Sequence, residues 1–100
     1  MGTFRHILML RFTGDATKQQ KQALSDGLGR MPEVMGFIRR YEFGADLAIS
    51  EGNPDLALVA DFDSEEDWRA YQSHPDHLVL VEDLVKPIVK EAIRVQYLVD

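Results

Sequence analysis

Residues Leu56–Phe62 alternate with a period of two, and both sides of the alternation are apolar. Leu56, Leu58, Ala60 and Phe62 form one face; Ala57 and Val59 form the other, with Asp61 as the exception near its end. A strand of this composition has to be covered on both sides. Phe4–Phe12 shows the same period. Phe4, His6, Leu8, Leu10 and Phe12 lie opposite Arg5, Ile7, Met9 and Arg11, a second face that is apolar in the middle and charged at both ends. Two further stretches alternate: Phe37–Phe43, with Phe37, Arg39, Tyr41 and Phe43 opposite Ile38, Arg40 and Glu42, and Ala92–Val99, with Ile93, Val95, Tyr97 and Val99 opposite Arg94, Gln96 and Leu98.

Between the strands the period lengthens. Thr17 followed by Gln20 is a capping-box signature. Leu24, Leu28, Met31 and Met35 then recur at spacings of four, three and four, the pattern of a one-sided helix. Gly27 and Gly29 lie inside it, each costing about 1 kcal/mol relative to alanine. Either the helix ends early there, or the missing side chains leave room for a ligand or a close neighbour. Ser64 caps a second helix, with Asp67 at its third position and Glu65 and Glu66 beside it, where the helix dipole favours negative charge. Trp68 and Tyr71 share a face of that helix. Pro75 removes a backbone donor and disfavours helix at His74, so the helix breaks there. A further helical run puts Leu78, Val81, Leu84, Val85 and Ile88 on its apolar side and ends at Pro87. Turn-prone clusters at 13–15, 32–36 and 50–55 separate the elements.

The order β-α-β-β-α-β, with its second helix broken in two, predicts an α+β, ferredoxin-like domain with a four-stranded antiparallel sheet. One hundred residues, 45% of them hydrophobic, suffice for one core, hence a single domain over 1–100. Helices cover one side of such a sheet. The other side, assigned Ile7, Met9, Ile38, Ala57, Val59 and Leu98, would be wet in a monomer. Such a patch marks an association surface, for which a twofold homodimer is the default solution.

Seventeen acidic residues against eleven basic ones give a formal charge of −6. With no Lys/Arg cluster to meet phosphates, no nucleic-acid partner is expected. The apolar-rich run Phe4–Phe12 is about half a membrane span. The start of the sequence shows neither a signal-peptide core nor a myristoylation serine or threonine, so the expectation is a cytoplasmic protein with no membrane partner. No cysteine is present, which excludes disulfides, thiolate catalysis and cysteine-based metal sites.

Histidine titrates nearest neutrality, so the three present are the natural candidates for chemistry. His6 shares a face with Leu8 and Leu10, beneath the helices, as a satisfied core residue or a pocket group. At the helix break, the ring of His74 is expected to bond a freed carbonyl and fix the turn. His77 falls in the first turn of the next helix, where the positive end of the dipole favours neutral imidazole, the form a general base needs. The Tyr71 hydroxyl either finds a partner in the core or points into a cavity. His6, His74 and His77 offer three nitrogens to zinc. However, a spacing of three across a proline break need not aim two rings one way, and no Glu-x-x-His pair accompanies them, so no metal is expected. Asp63, Glu65, Glu66 and Asp67 read as helix-end electrostatics, and Arg39-Arg40 as a strand-edge or dimer ion pair.

Arg5-His6-Ile7-Leu8-Met9-Leu10-Arg11-Phe12 resembles the K-H-I-V-L-F-K-F first strand of the stress-responsive dimeric α/β-barrel (Dabb) family. Tyr41-Glu42-Phe43-Gly44 is similar to that family's second strand, and residues 55–64 to its Y-D-L-A-L-V-x-x-F-x-S third strand. Tyr71-Gln72-Ser73-His74-Pro75-Asp76-His77 is similar to its Y-x-x-H-P-x-H motif; Val85-Lys86-Pro87 and Val95-Gln96-Tyr97 complete a likeness over essentially the whole chain. The resemblance implies a homodimer whose two sheets close into a barrel. The family holds stress-induced plant proteins, bacterial proteins and plant polyketide cyclases. The cyclases use no metal or organic cofactor, only a tyrosine and the second histidine of H-P-x-H. Motif matching places those roles on Tyr71 and His77, with His6 lining the same cavity. Where a cyclase carries an additional histidine at the start of strand three, this chain has Leu56.

The expected site is therefore a mainly apolar cavity with His77 and Tyr71 as catalytic groups. His6, Leu8, Leu58, Trp68 and His74 would bind a small hydrophobic carbonyl compound there, without a cofactor. The first reading is a small stress-responsive homodimer with a small-molecule pocket. The second is a cofactor-independent cyclase or lyase on an enolisable, polyketide-like carbonyl substrate, His77 abstracting a proton and Tyr71 stabilising the enolate oxygen. The third, by fold analogy alone, is a relative of the dimeric-barrel monooxygenases.

Overall fold

In the computed structural model, which describes residues 2–100, the alternating segments pair into one antiparallel sheet in the order β2-β3-β1-β4. The elements are β1 (Thr3–Phe12), α1 (Lys18–Val34), β2 (Arg40–Ala45), β3 (Leu56–Phe62), α2 (Glu65–Ser73), α3 (Pro75–Leu80) and β4 (Val89–Val99). A π-helical turn over Val81–Val85 continues α3. β1 lies between β3 and β4, so Leu8 sits opposite both Leu58 and Arg94, and Ile7 opposite both Val59 and Val95.

One side of the sheet packs against the helices. Leu10, Leu56, Leu58, Ala60 and Phe62 from the strands meet Leu24, Leu28 and Met31 of α1, together with Met35, Tyr71, Leu80 and Ile88, all buried. The capping box at the start of α1 closes: Thr17 Oγ1 accepts the Gln20 N–H at 3.1 Å, and Gln20 Oε1 accepts the Thr17 N–H at 2.8 Å. Thr17→Ala should therefore cost about 1 kcal/mol of stability, read as a lower urea midpoint at unchanged slope.

α1 does not end at its glycines. A β-carbon at Gly27 would lie 2.8 Å from Leu84 Cδ1 and 3.0 Å from Leu80 Cδ1; the missing side chain admits a close neighbour. The helix also runs through Pro32, placed in its last turn. There the proline forfeits one backbone bond, and the Met35 N–H still closes on the Met31 carbonyl at 3.0 Å.

The second strand begins three residues later than its alternation suggests. Phe37 and Ile38 belong to the turn after α1, where the Ile38 N–H bonds the Met35 carbonyl, and Ile38 packs on the core instead of the outer sheet face. β4 begins earlier, at Val89, opposite Phe12. Leu78 is exposed, and Leu80 is buried in its place. In the π turn the Lys86 N–H reaches back five residues to Val81. More residues per turn keep Leu80, Leu84 and Ile88 in phase at spacings of four.

The outer face of the sheet also differs in membership. Leu98 lies opposite Phe4, on the helix side. In its stead Tyr97, Val95 and Ile93 stand opposite Arg5, Ile7 and Met9, and are 44%, 50% and 40% exposed. Together with Ala57 and Val59 they make an apolar centre bracketed by ion pairs. Arg5 holds Asp61 through two bonds of 2.8 Å at one end, and Arg11 holds Glu91 at 2.8 Å at the other.

Candidate functional site

The break before Pro75 organises the site. Held out of the helical region (φ −62°, ψ 135°), His74 ends α2 and caps α3, its Nδ1 accepting the Asp76 N–H at 3.1 Å. In an unbroken helix that N–H would have bonded the Gln72 carbonyl. The carbonyl is met instead by His77 Nδ1 at 3.2 Å. The ring that takes the freed carbonyl is thus His77, where the sequence pointed to His74. A carbonyl only accepts, so Nδ1 carries the proton and Nε2 of neutral His77 keeps its lone pair.

His77 is held below the ordinary histidine range chiefly by burial, against the opposing Gln72 bond and with a smaller contribution from His74. Burial, more than the dipole of a short helix, keeps it neutral. Its ring lies against Tyr71, with centroids 4.4 Å apart.

His6, on the helix side of β1, faces Gln96 across the sheet, and Gln96 Nε2 approaches His6 Nδ1 at 3.0 Å. An amide nitrogen only donates, so His6 Nδ1 accepts and its Nε2 carries the proton. Burial first, then the charges of Arg94 and His77, push its pKa down to about 4. The two imidazoles are both neutral at pH 7 but opposite in polarity: His6 offers a donor, His77 an acceptor.

Tyr71 is 2% exposed, and its hydroxyl lies 3.2 Å from that of Tyr41. Burial raises the Tyr71 phenol above its usual range, so it stays protonated. Phe62 packs on its ring, with centroids at 5.4 Å.

A cavity of about 490 Å³ lies between the helices and β1–β4. Of the expected residues, His6, Leu8, Trp68, Tyr71 and His77 line it. Leu58 does not; it is fully buried in the core. His74 is taken up by the α3 cap and is likewise absent from the wall. The wall also includes Arg69 and Arg94, which sequence reasoning missed. So were Gln96 and Tyr41, which orient His6 and meet Tyr71. Their signal was the alternation of β4 and β2: once β4 pairs with β1, Arg94 and Gln96 must share the face of Leu8 and His6. The indole N–H of Trp68 is buried without a partner among the described residues. Among them, too, no three His, Asp or Glu side chains converge as metal ligands would, and no helix is long and apolar enough to cross a membrane.

A split β-α-β sheet with a histidine-bearing cavity beneath its helices and an apolar outer face defines a ferredoxin-like α+β protein of the dimeric-barrel kind. The chain belongs to the stress responsive A/B barrel domain (Dabb) family, whose pattern matches residues 4–99. It is similar to a dimeric ferredoxin-like protein of unknown function from Thermobifida fusca, with 35% identity, 98% of this chain and 92% of that one covered, and a TM-score of 0.90. A dimeric protein of ferredoxin-like fold from Bacteroides fragilis shares 21% identity over 96% of this chain and 95% of its own, with a TM-score of 0.83. The hydroxynitrile lyase of Passiflora edulis shares the fold at 17% identity, with 98% and 94% covered and a TM-score of 0.85. No curated protein matches the sequence.

Proposed function

We propose that this chain works as a homodimer whose cavity binds a small carbonyl compound and moves a proton on it without a cofactor. The carrying observation is the pair of oppositely polarised neutral histidines on one cavity wall, His77 fixed by the Gln72 carbonyl and His6 by Gln96. In this reading His77 Nε2 takes a proton from the carbon next to the carbonyl. The C–H electron pair becomes the new C=C bond, and the carbonyl π pair moves onto oxygen. The His6 Nε2–H or the Tyr71 hydroxyl stabilises that oxygen as charge develops. Return of the proton to carbon restores both catalyst and carbonyl. Trp68 and Leu8 supply the apolar surface that most small-ligand sites need. The hydroxynitrile lyase on this fold is a precedent for an enzyme of such a frame.

The dimer covers the outer sheet face. Leu47 and Ile49, 80% and 83% exposed, flank Met9 and Ala57 and extend the apolar surface offered to a second copy. Similar chains described as dimeric support this assembly.

The test is α-hydrogen exchange of millimolar 4-phenyl-2-butanone in D2O, followed by proton NMR. The wild type should accelerate exchange, His77→Ala should lower that acceleration by about two orders of magnitude, and Tyr71→Phe by about one. No acceleration, or acceleration indifferent to His77→Ala, removes the acid–base reading.

A further inference from the structure

The charge on the cavity wall runs against the charge of the chain. Acids outnumber bases seventeen to eleven, yet no aspartate or glutamate lines the cavity, while Arg69 and Arg94 do. Arg69 is held by Glu65 through an exposed i,i+4 pair. Arg5, Arg11, Arg39 and Arg40 each hold a carboxylate as well. Arg94 pairs with none of the described acids and makes no side-chain hydrogen bond among the described residues.

Its placement is equally specific. Arg94 lies on the helix side of β4, opposite Leu8 and two residues from Gln96, the residue that orients His6. It is exposed and lines the wall, so it sits where the cavity meets solvent. A guanidinium presents a planar fork of donors that fits a carboxylate through two parallel bonds. A ligand anchored there would run from the mouth inward, past Leu8 and Trp68, toward the two histidines.

We infer that the cavity takes a carbonyl compound bearing a carboxylate, with Arg94 pairing the carboxylate and setting the preference for it over the neutral ketone. This rests on the proposed reading of the cavity as a carbonyl site and adds the substrate's charge to it. Arg94 is thereby a binding residue that neither the motif of the helix break nor the apolar pattern of the strands marks. The Arg94 charge also disfavours a second positive charge on His6, which helps keep the inner donor neutral before the anion arrives.

A matched pair of ligands tests it: 2-oxo-4-phenylbutanoate and 4-phenyl-2-butanone, which share a skeleton and differ in the carboxylate. The chain has a single tryptophan, and Trp68 lines the cavity, so its fluorescence reports binding of either compound. The wild type should bind the keto acid about tenfold or more tightly than the ketone, and the preference should shrink as salt is raised. Arg94→Gln should bring the two affinities together while leaving that for the ketone unchanged, which also shows that the variant is folded. Arg94→Lys should retain part of the preference. An unchanged ratio in Arg94→Gln, or equal affinities in the wild type, overturns the inference while leaving the carbonyl reading standing. If neither compound is bound, both fall together.

Discussion

Ile7→Asp should leave the chain folded but monomeric. Ile7 lies at the middle of the outer sheet face, opposite Val59 on one side and Val95 on the other. In a lone subunit the new carboxylate would stand in water, and the cost would be the modest penalty of aspartate in a strand, about 1 kcal/mol at most. In a twofold dimer each copy would bring one such charge into an apolar contact, and the symmetry would set two like charges against the same interface. A desolvated, unpaired charge is costly enough that the dimer dissociation constant should rise by about three orders of magnitude. Sedimentation at micromolar concentration checks this, with far-ultraviolet circular dichroism as the control for folding. A wild type that sediments as a single subunit, or an Ile7→Asp variant that stays paired, would show that this face is not the interface.

The second large effect is a loss of stability on mild acidification. Burial holds His6 at a pKa of about 4, against about 6.5 in an unfolded chain. Between those values the unfolded state takes up the proton and the folded state does not. The contribution of neutral His6 is therefore fully present above pH 6.5 and fades as pH falls toward 4, amounting to on the order of 3 kcal/mol. His77 is shifted in the same direction, again mainly by burial, and adds to the decline. Asp61 acts separately. Its bond to Arg5 holds the carboxyl below the usual aspartate range, so its contribution is present above that range and is lost at lower pH than the histidine effect. Urea midpoints measured from pH 7.5 to pH 4 should fall steeply for the wild type and much less for His6→Gln. A flat profile across that window would mean that water reaches His6 and that it is not held neutral.

The strands and their neighbours were readable because their residues repeat a simple physical demand. Leu56, Leu58, Ala60 and Phe62 all point to one side and are all buried. Thr17 with Gln20, and Ser64 with Asp67, satisfy backbone donors within a few residues and need no distant partner. What stayed hidden depended on contacts far apart in sequence. Nothing near Arg94 tells whether its strand turns the charged or the apolar set inward; pairing with β1 decides it, and gives Ile93, Val95 and Tyr97 to the outer face. The polar role at the helix break was legible as a histidine next to a proline, but which ring met which backbone group depended on the geometry of the break. Gly27 showed in sequence as a cost, and only the approach of Leu80 and Leu84 explains it.

Along β1, His6, Leu8 and Leu10 look toward the helices, while Arg5, Ile7 and Met9 look away from them. Inserting or deleting one residue between His6 and Ile7 would force a bulge or reverse every one of these directions on one side of the change. His6 would turn to the outer sheet face, or Ile7 and Met9 toward the cavity beneath the helices. Changes inside this segment are thus locked to steps of two. Descendants of this chain can exchange residues of like character on either side of β1, yet a slip of its parity would carry His6 off the cavity wall and a polar group onto the apolar outer face in the same event.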